Sequence, residues 1–144
     1  MAADPGLQAR LRADPALIPE AVEEMLRRYS FVTLVRRATE DMEFGGWRLK
    51  RNERVMFSLA GAGLDPAHWS APERFDLKRD DKAHIAFGAG VHRCLGSHLA
   101  RLELQLLYVE LLARLPTFRL DPGETIRFRA GNVMAVETLP IRWD

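Results

Sequence analysis

FGAGVHRCLG, Phe87 to Gly96, contains the only cysteine of the 144-residue chain and stands just before a long apolar run. Cys94 is therefore expected at or just before a helix N terminus, where free backbone N–H groups and the helix dipole favour a thiolate. The glycines of this stretch permit positive φ and let the backbone approach a flat ligand closely. A thiolate in such a loop is typical of a metal ligand, whereas a lone cysteine taken at random is more often an inert core residue.

A second metal-binding interpretation combines His92, Cys94 and His98. Cys94 and His98 are one helical turn apart, so a shared zinc ion is geometrically possible. Structural zinc sites usually contain two or more cysteines, and this chain has one. The zinc site is therefore the weaker alternative.

Composition restricts the class of protein. With 47% apolar residues the chain can form a core, which excludes a disordered or fibrous protein, and a net charge of +1 gives no indication of nucleic-acid binding. A single cysteine cannot form an intramolecular disulfide, which is compatible with a reducing compartment. No apolar run reaches membrane-spanning length, and MAADPGLQAR lacks the apolar core of a secretory signal. We expect a cytoplasmic chain that binds neither nucleic acid nor membranes.

Three segments have helical patterns. Apolar periodicity and proline positions predict helices over Pro5–Leu11, Pro19–Arg28 and Leu95–Leu115, with Pro116 ending the last. Leucines surround the third helix on more than one face, so we expect it to be buried on most sides.

The remaining segments predict short strands and irregular structure. Phe31 to Ala60 is expected to form short strands around a Gly45-Gly46 hairpin turn, and the residues after Pro116 are expected to form strands and turns. Leu64 to His84 is rich in proline, aspartate and charge, so we expect it to be irregular.

The pattern Phe-Gly-x-Gly-x-His-x-Cys-x-Gly at Phe87 to Gly96 resembles the haem-binding signature of the cytochrome P-450 superfamily. The resemblance implies that Cys94 is the proximal thiolate ligand of haem iron, the metal-binding residue of the chain. It also implies that Phe87 packs near the sulfur and that His92 reaches a haem propionate. The implied cofactor-binding residues are Arg36, Phe87, Gly88, Gly90, His92, Cys94 and Gly96.

Glu24 and Arg27, in VEEMLRR, share a helix face at i and i+3 and can form a bidentate ion pair. Most such pairs are solvated and contribute little. The superfamily, however, carries a Glu-x-x-Arg upstream of its cysteine motif. Arg74, in APERF, matches the arginine that completes it, so the resemblance implies a structural lock formed by Glu24, Arg27 and Arg74.

Arg36 matches a position where many bacterial members place an arginine on a propionate. An arginine there, with His92, would supply partners for two anionic groups. Leu34 departs from relatives that place an aspartate nearby. The resemblance also implies a substrate pocket, to which Phe31, Val32, Asn132 and Val133 would contribute.

The implied fold is α+β, mainly α, and corresponds to the C-terminal portion of the cytochrome P-450 fold, with residues 1–144 as a single partial domain. Its parts would be the Glu-x-x-Arg helix, a small β-sheet, the cysteine loop, a long buried helix and C-terminal β-hairpins. The long distal helix that carries an acidic residue and a threonine for oxygen protonation has no counterpart here, since Thr33 and Thr39 follow the Glu-x-x-Arg helix.

The implied function is haem-thiolate binding within a monooxygenase that uses haem b and O2 to insert one oxygen atom into a small apolar substrate. A ferredoxin-type protein would supply electrons, docking on a basic proximal face. That face would contain Lys78, Arg79, Lys82, Arg93 and Arg101. The alternative is a non-catalytic haem-binding fragment, or half of a split protein that needs an N-terminal partner chain. An uncovered apolar face on the leucine-rich helix would favour such a partner or self-association.

Overall fold

The computed structural model describes residues 1–143; Asp144, the last residue of the predicted domain, lies outside them. Four α-helices are present in this range: α1 Pro5–Ala13, α2 Ile18–Arg28, α3 Leu59–Gly63 and α4 Ser97–Arg114. Two short 3-10 helices, Pro15–Leu17 and Gly90–His92, join them. Helix predominates over strand, which confirms the predicted mainly helical α+β class.

The strands of the described chain are short and pair two by two. They are β1 Thr33–Arg37, β2 Met42–Phe44, β3 Trp47–Leu49, β4 Arg54–Ser58, β5 Phe118–Leu120, β6 Arg127–Arg129, β7 Ala135–Thr138 and β8 Ile141–Trp143. All pairs are antiparallel: β1 with β4, β2 with β3, β5 with β8 and β6 with β7. The β2–β3 turn is formed by Gly45 and Gly46, whose φ angles of 57° and 81° suit a type I′ hairpin.

Strand β4 ends earlier than its sequence predicts. The apolar run VMFSLA suggests a strand through Ala60, but α3 starts at Leu59 because the Ser58 hydroxyl accepts the Gly61 N–H at 2.9 Å and caps the helix. The short helix ends at Gly63 against the backbone of α2. A Cβ at Gly63 would lie 2.2 Å from the Arg27 carbonyl oxygen, so only glycine fits there.

The core lies between α1, α2 and α4. Its buried apolar members are Leu7, Leu11, Ile18, Ala21, Val22, Leu77 and Leu112. Gln8 is fully buried beside them and binds both backbone groups of Phe118, donating to the carbonyl at 2.7 Å and accepting the N–H at 3.2 Å. These bonds connect α1 to β5, directly after α4 ends.

The prediction that the long helix is buried on most sides is wrong. Within α4 only Ser97 and Leu112 are buried, and Leu95, just before it, is 98% exposed. The helix packs on α1 and α2 along one side, and no element within residues 1–143 covers the opposite side. Its exposed apolar residues are Leu99, Leu102, Leu106, Leu107 and Val109. No helix of residues 1–143 is both long and apolar enough to cross a membrane.

Candidate functional site

The cysteine loop is stabilised by its own backbone. The Cys94 N–H donates to the Phe87 carbonyl at 2.9 Å, and the Arg93 N–H donates to the Gly90 carbonyl at 3.1 Å. Gly88 and Gly90 have φ angles of 73° and 69°, in the left-handed region. Because a Cβ at Gly90 would meet nothing within 4 Å, backbone conformation rather than crowding requires that glycine.

Cys94 lies three residues before α4, and its carbonyl accepts the N–H of Ser97 at 3.3 Å. The thiol is exposed and lines a cavity of about 730 Å³, together with Phe87 and His92. A Cβ at Gly96 would lie 4.0 Å from the Cys94 sulfur, in ordinary van der Waals contact. The rest of the lining is mainly apolar: Met1, Met25, Leu26, Tyr29, Ser30, Phe31, Val32, Leu34, Leu59, Ala86, Leu104, Tyr108, Val136 and Leu139.

The described residues do not provide the ligands that the alternative zinc site requires. Among residues 1–143, no group of three His, Cys, Asp or Glu side chains could hold a metal ion. Zinc in proteins requires at least three such ligands, so His92, Cys94 and His98 do not form a zinc site.

The predicted pocket residues come from two segments that meet. Phe31 and Val32 line the Cys94 cavity, and Val133 lines a second cavity of about 590 Å³. The two cavities share Tyr29, Ser30, Phe31 and Val136. An antiparallel bridge joins Val32 to Val133. Asn132 lines neither cavity; its carbonyl accepts the Thr33 N–H at 2.7 Å.

Arg36 lies on β1 and is exposed. It shares a strand face with Leu34, which lines the Cys94 cavity, because alternate residues of a strand point the same way. Its guanidinium donates to the Val35 carbonyl at 3.0 Å and lies outside the cavity lining. Its role toward a propionate remains a prediction.

Glu24 and Arg27 form a fully buried, bidentate ion pair, with N–O distances of 2.8 and 2.9 Å. Arg27 also donates to the carbonyls of Gly63 and Pro72, and Glu24 accepts the Asp76 N–H at 2.9 Å. Burial alone would raise the pKa of Glu24, but the bonds from Arg27, Asp76 and Arg79 lower it below its usual value. The pair joins α2 to α3 and to the irregular segment.

The third member of this lock is Arg79, not Arg74. The Arg74 side chain is 73% exposed and faces Asp76 at 3.9 Å, and only its carbonyl reaches the lock, by accepting from Arg27. The Arg79 side chain is 10% exposed, and its Nε lies 3.2 Å from Glu24 Oε1. The turn at Ala71–Arg74 directs the Arg74 backbone inward and leaves its side chain in solvent.

A second, partly buried network was not predicted. It consists of Glu23 on α2, His84 before the cysteine loop and Arg101 on α4, and we call it the Glu23 cluster. Arg101 donates to both Glu23 oxygens at 2.6 and 3.0 Å, and His84 Nε2 lies 3.2 Å from Glu23 Oε2. No sequence spacing indicates these contacts, which join residues 61 and 78 positions apart.

Opposing effects act on the Glu23 carboxyl. Burial disfavours its charged form, but the hydrogen bonds from His84 and Arg101 outweigh burial and lower its pKa from 4.5 to about 2. Glu23 is therefore an anion throughout the neutral range.

The family model for cytochrome P-450 matches residues 5–141. The chain belongs to the cytochrome P-450 family. Cytochrome P-450 105A3 of Streptomyces carbophilus is 41% identical over 143 residues, covering 96% of this chain and 35% of that protein. Steroid C26-monooxygenase of Mycobacterium tuberculosis is 42% identical over 134 residues, covering 91% of this chain and 36% of that protein.

Solved cytochrome P-450 structures share the fold. CYP101C1 superposes with a TM-score of 0.94 at 36% identity, covering 99% of this chain and 37% of that structure. The chain therefore has the C-terminal portion of the cytochrome P-450 fold, as predicted, and spans about a third of the length of these relatives. The family uses haem b as its prosthetic group and O2 as co-substrate.

The residues around Cys94 fit a haem group. Haem is a flat, largely apolar macrocycle whose iron accepts a thiolate as axial ligand, and the exposed Cys94 sulfur lines a mainly apolar cavity. His92, in the same lining, is a polar group that could bind a propionate.

Proposed function

We propose that residues 1–144 are the C-terminal haem-binding portion, a single partial domain, of a cytochrome P-450 monooxygenase. The observation that carries the proposal is the position of the Cys94 sulfur, which lines an apolar cavity at the start of α4. Bound haem b would supply the oxygen chemistry, in which one atom of O2 enters a small apolar substrate and the other is reduced to water.

The chain's own residues would hold the cofactor and orient the substrate. Cys94 would ligate the iron, Phe87 would pack beside the sulfur, and His92 and Arg36 would bind the propionates. Gly88, Gly90 and Gly96 would allow the loop to approach the macrocycle. Phe31, Val32 and Val133 would form the apolar wall of the substrate pocket, with Asn132 holding β1 through its carbonyl.

Bacterial members of the family generally receive electrons from ferredoxin-type proteins, and we propose the same class of partner here. The proposed docking face is smaller than its sequence indicates, because Arg79, Lys82 and Arg101 form ion pairs within the chain. We propose that the other two members of that basic set, Lys78 and Arg93, attract an acidic partner.

A second candidate function applies to the chain by itself: it would be a haem-binding fragment without turnover. The exposed apolar side of α4 favours this candidate. A separate complementary chain has no support, because each named relative carries this region within one chain about three times as long.

The test is to mix the purified chain with haemin, reduce it, add carbon monoxide and record the difference spectrum. We expect the strongly red-shifted band of a thiolate ligand in the wild type and its loss in Cys94→Ser. His98→Ala, one helical turn away, is the matched control and should keep the band. Absence of the thiolate band in the wild type, or its persistence in Cys94→Ser, would overturn the proposal.

A further inference from the structure

The Glu23 cluster has no role in the proposed function, although it connects the three parts of the chain that surround the cysteine loop. Glu23 comes from α2, His84 from the segment before the loop, and Arg101 from the second turn of α4. The loop, Phe87 to Gly96, therefore lies between two residues that bind the same carboxylate.

His84 fixes the start of the loop. Its side chain is 2% exposed, and Nδ1 accepts the Ala86 N–H at 3.2 Å. A neutral imidazole has one acceptor and one donor nitrogen, so Nε2 carries the proton and donates it to Glu23 Oε2, at 3.2 Å. Both ring nitrogens are thus used, one on α2 and one on the backbone directly before Phe87.

Arg101 fixes the end of the loop and reaches back to its beginning. Two of its nitrogens bind Glu23, and a third lies 3.3 Å from the Ser97 carbonyl, in the first turn of α4. The guanidinium lies 4.8 Å from the centre of the Phe87 ring, in a cation–π contact. The Phe87 carbonyl in turn accepts the Cys94 N–H at 2.9 Å.

We infer that Glu23 is a positioning residue that holds both ends of the cysteine loop, through His84 and Arg101, and thereby orients the Cys94 sulfur. The identity of Cys94 as an iron ligand rests on the proposed function, whereas the control of loop position by Glu23 does not. The neighbouring Glu24 has a different target, because its hydrogen bonds within residues 1–143 are to Arg27, Asp76 and Arg79, none of which belongs to the loop.

The first test is amide hydrogen exchange in the haem-free chain, comparing the wild type with Glu23→Gln. Glutamine preserves the shape of the side chain but removes the negative charge that binds His84 and Arg101. We therefore expect amides 86–94 to exchange at least about tenfold faster in the variant. Core amides of α1 should exchange at the wild-type rate. Glu110→Gln is the matched control, because Glu110 pairs with Arg114 on the exposed surface of α4.

Two results would overturn the inference: unchanged exchange of amides 86–94, or an equal increase throughout the chain, which would indicate a purely structural role. Arg101→Lys provides a second variant if Glu23→Gln does not fold. Lysine keeps the charge but lacks the planar fork, so a smaller increase restricted to the same amides supports the inference, and a uniform or absent change rejects it.

The second test uses the haem-loaded chain. We expect Glu23→Gln to take up haem but to show a smaller fraction of its carbon monoxide complex in the thiolate band than the wild type or Glu110→Gln. An unchanged fraction would reject the orientation of the sulfur by Glu23. Absence of the thiolate band in the wild type would instead reject the proposed function, and the exchange experiment would still decide the control of the loop.

Discussion

Adjacent carboxylates on α2 have separate tasks. Successive residues of a helix point about 100° apart, so Glu23 faces His84 and α4 while Glu24 faces the irregular segment. The spacing of Glu24 and Arg27 predicts an ion pair, because i and i+3 share a face. Burial of the pair and the involvement of Glu23 depend on residues far away in sequence, which local spacing does not reveal.

Local sequence also fails to identify the arginine that completes the Glu24–Arg27 lock. Arg74 and Arg79 both lie in the irregular segment, and motif position favours Arg74, but the direction of each side chain depends on the turns of that segment. In the structure, the Arg79 side chain contacts Glu24.

This difference can be measured by comparing two alanine variants. Arg79→Ala should lower the free energy of unfolding by about 1–2 kcal/mol, because Glu24 loses a charged donor inside the protein. Arg74→Ala should change it by less than about 0.5 kcal/mol, since its side chain is solvated. Urea unfolding followed by circular dichroism measures both, and equal losses would contradict the assignment.

The Glu23 carboxyl should make stability depend on pH. Its pKa is about 2 in the folded chain against an ordinary value of 4.5, so its contribution is fully present above 4.5 and is lost as pH falls toward 2. The groups that face it are the His84 imidazole and the charged guanidinium of Arg101.

The measurement is the difference in unfolding free energy between the wild type and Glu23→Gln. That difference should be about 2 kcal/mol at neutral pH and should shrink steadily below pH 4.5. A difference that grows on acidification would show that the folded chain favours the protonated acid.

At the scale of elements, apolar periodicity predicts α1, α2 and α4 well, because each has a long amphipathic or leucine-rich pattern. Helix α3 is missed because its five residues, LAGAG, continue an apolar strand pattern, and only the Ser58 cap separates the two. The exposure of α4 is also mispredicted, because leucine content measures apolarity and not the presence of a covering element.

Gln8 is one of the α1 side chains that hold the junction of α1, α4 and β5. Gln8 satisfies both backbone groups of the buried Phe118, so Gln8→Ala should leave a donor and an acceptor without partners and lower the free energy of unfolding by about 2–4 kcal/mol. Gln105→Ala, in the chain's second glutamine, is the control and should have a clearly smaller effect. Equal effects in thermal or urea unfolding would contradict this role.

At the scale of the molecule, the apolar side of α4 should control association. Leu99, Leu102 and Leu106 lie on α4 and are each more than half exposed. We expect the haem-free chain to form concentration-dependent oligomers, and Leu102→Ser with Leu106→Ser to reduce them. Sedimentation velocity over a range of concentrations measures this. Unchanged oligomers in the double variant would locate the contact elsewhere.

The exposure of Cys94 also has a consequence for redox chemistry. Since the chain has one thiol and that thiol is exposed, oxidation in air can join two copies through a single covalent linkage, Cys94 to Cys94. Such a disulfide would consume the sulfur of the proposed haem site in both copies. A reducing agent during purification would therefore preserve the capacity to bind haem, and counting free thiols would report directly how much of a preparation retains it.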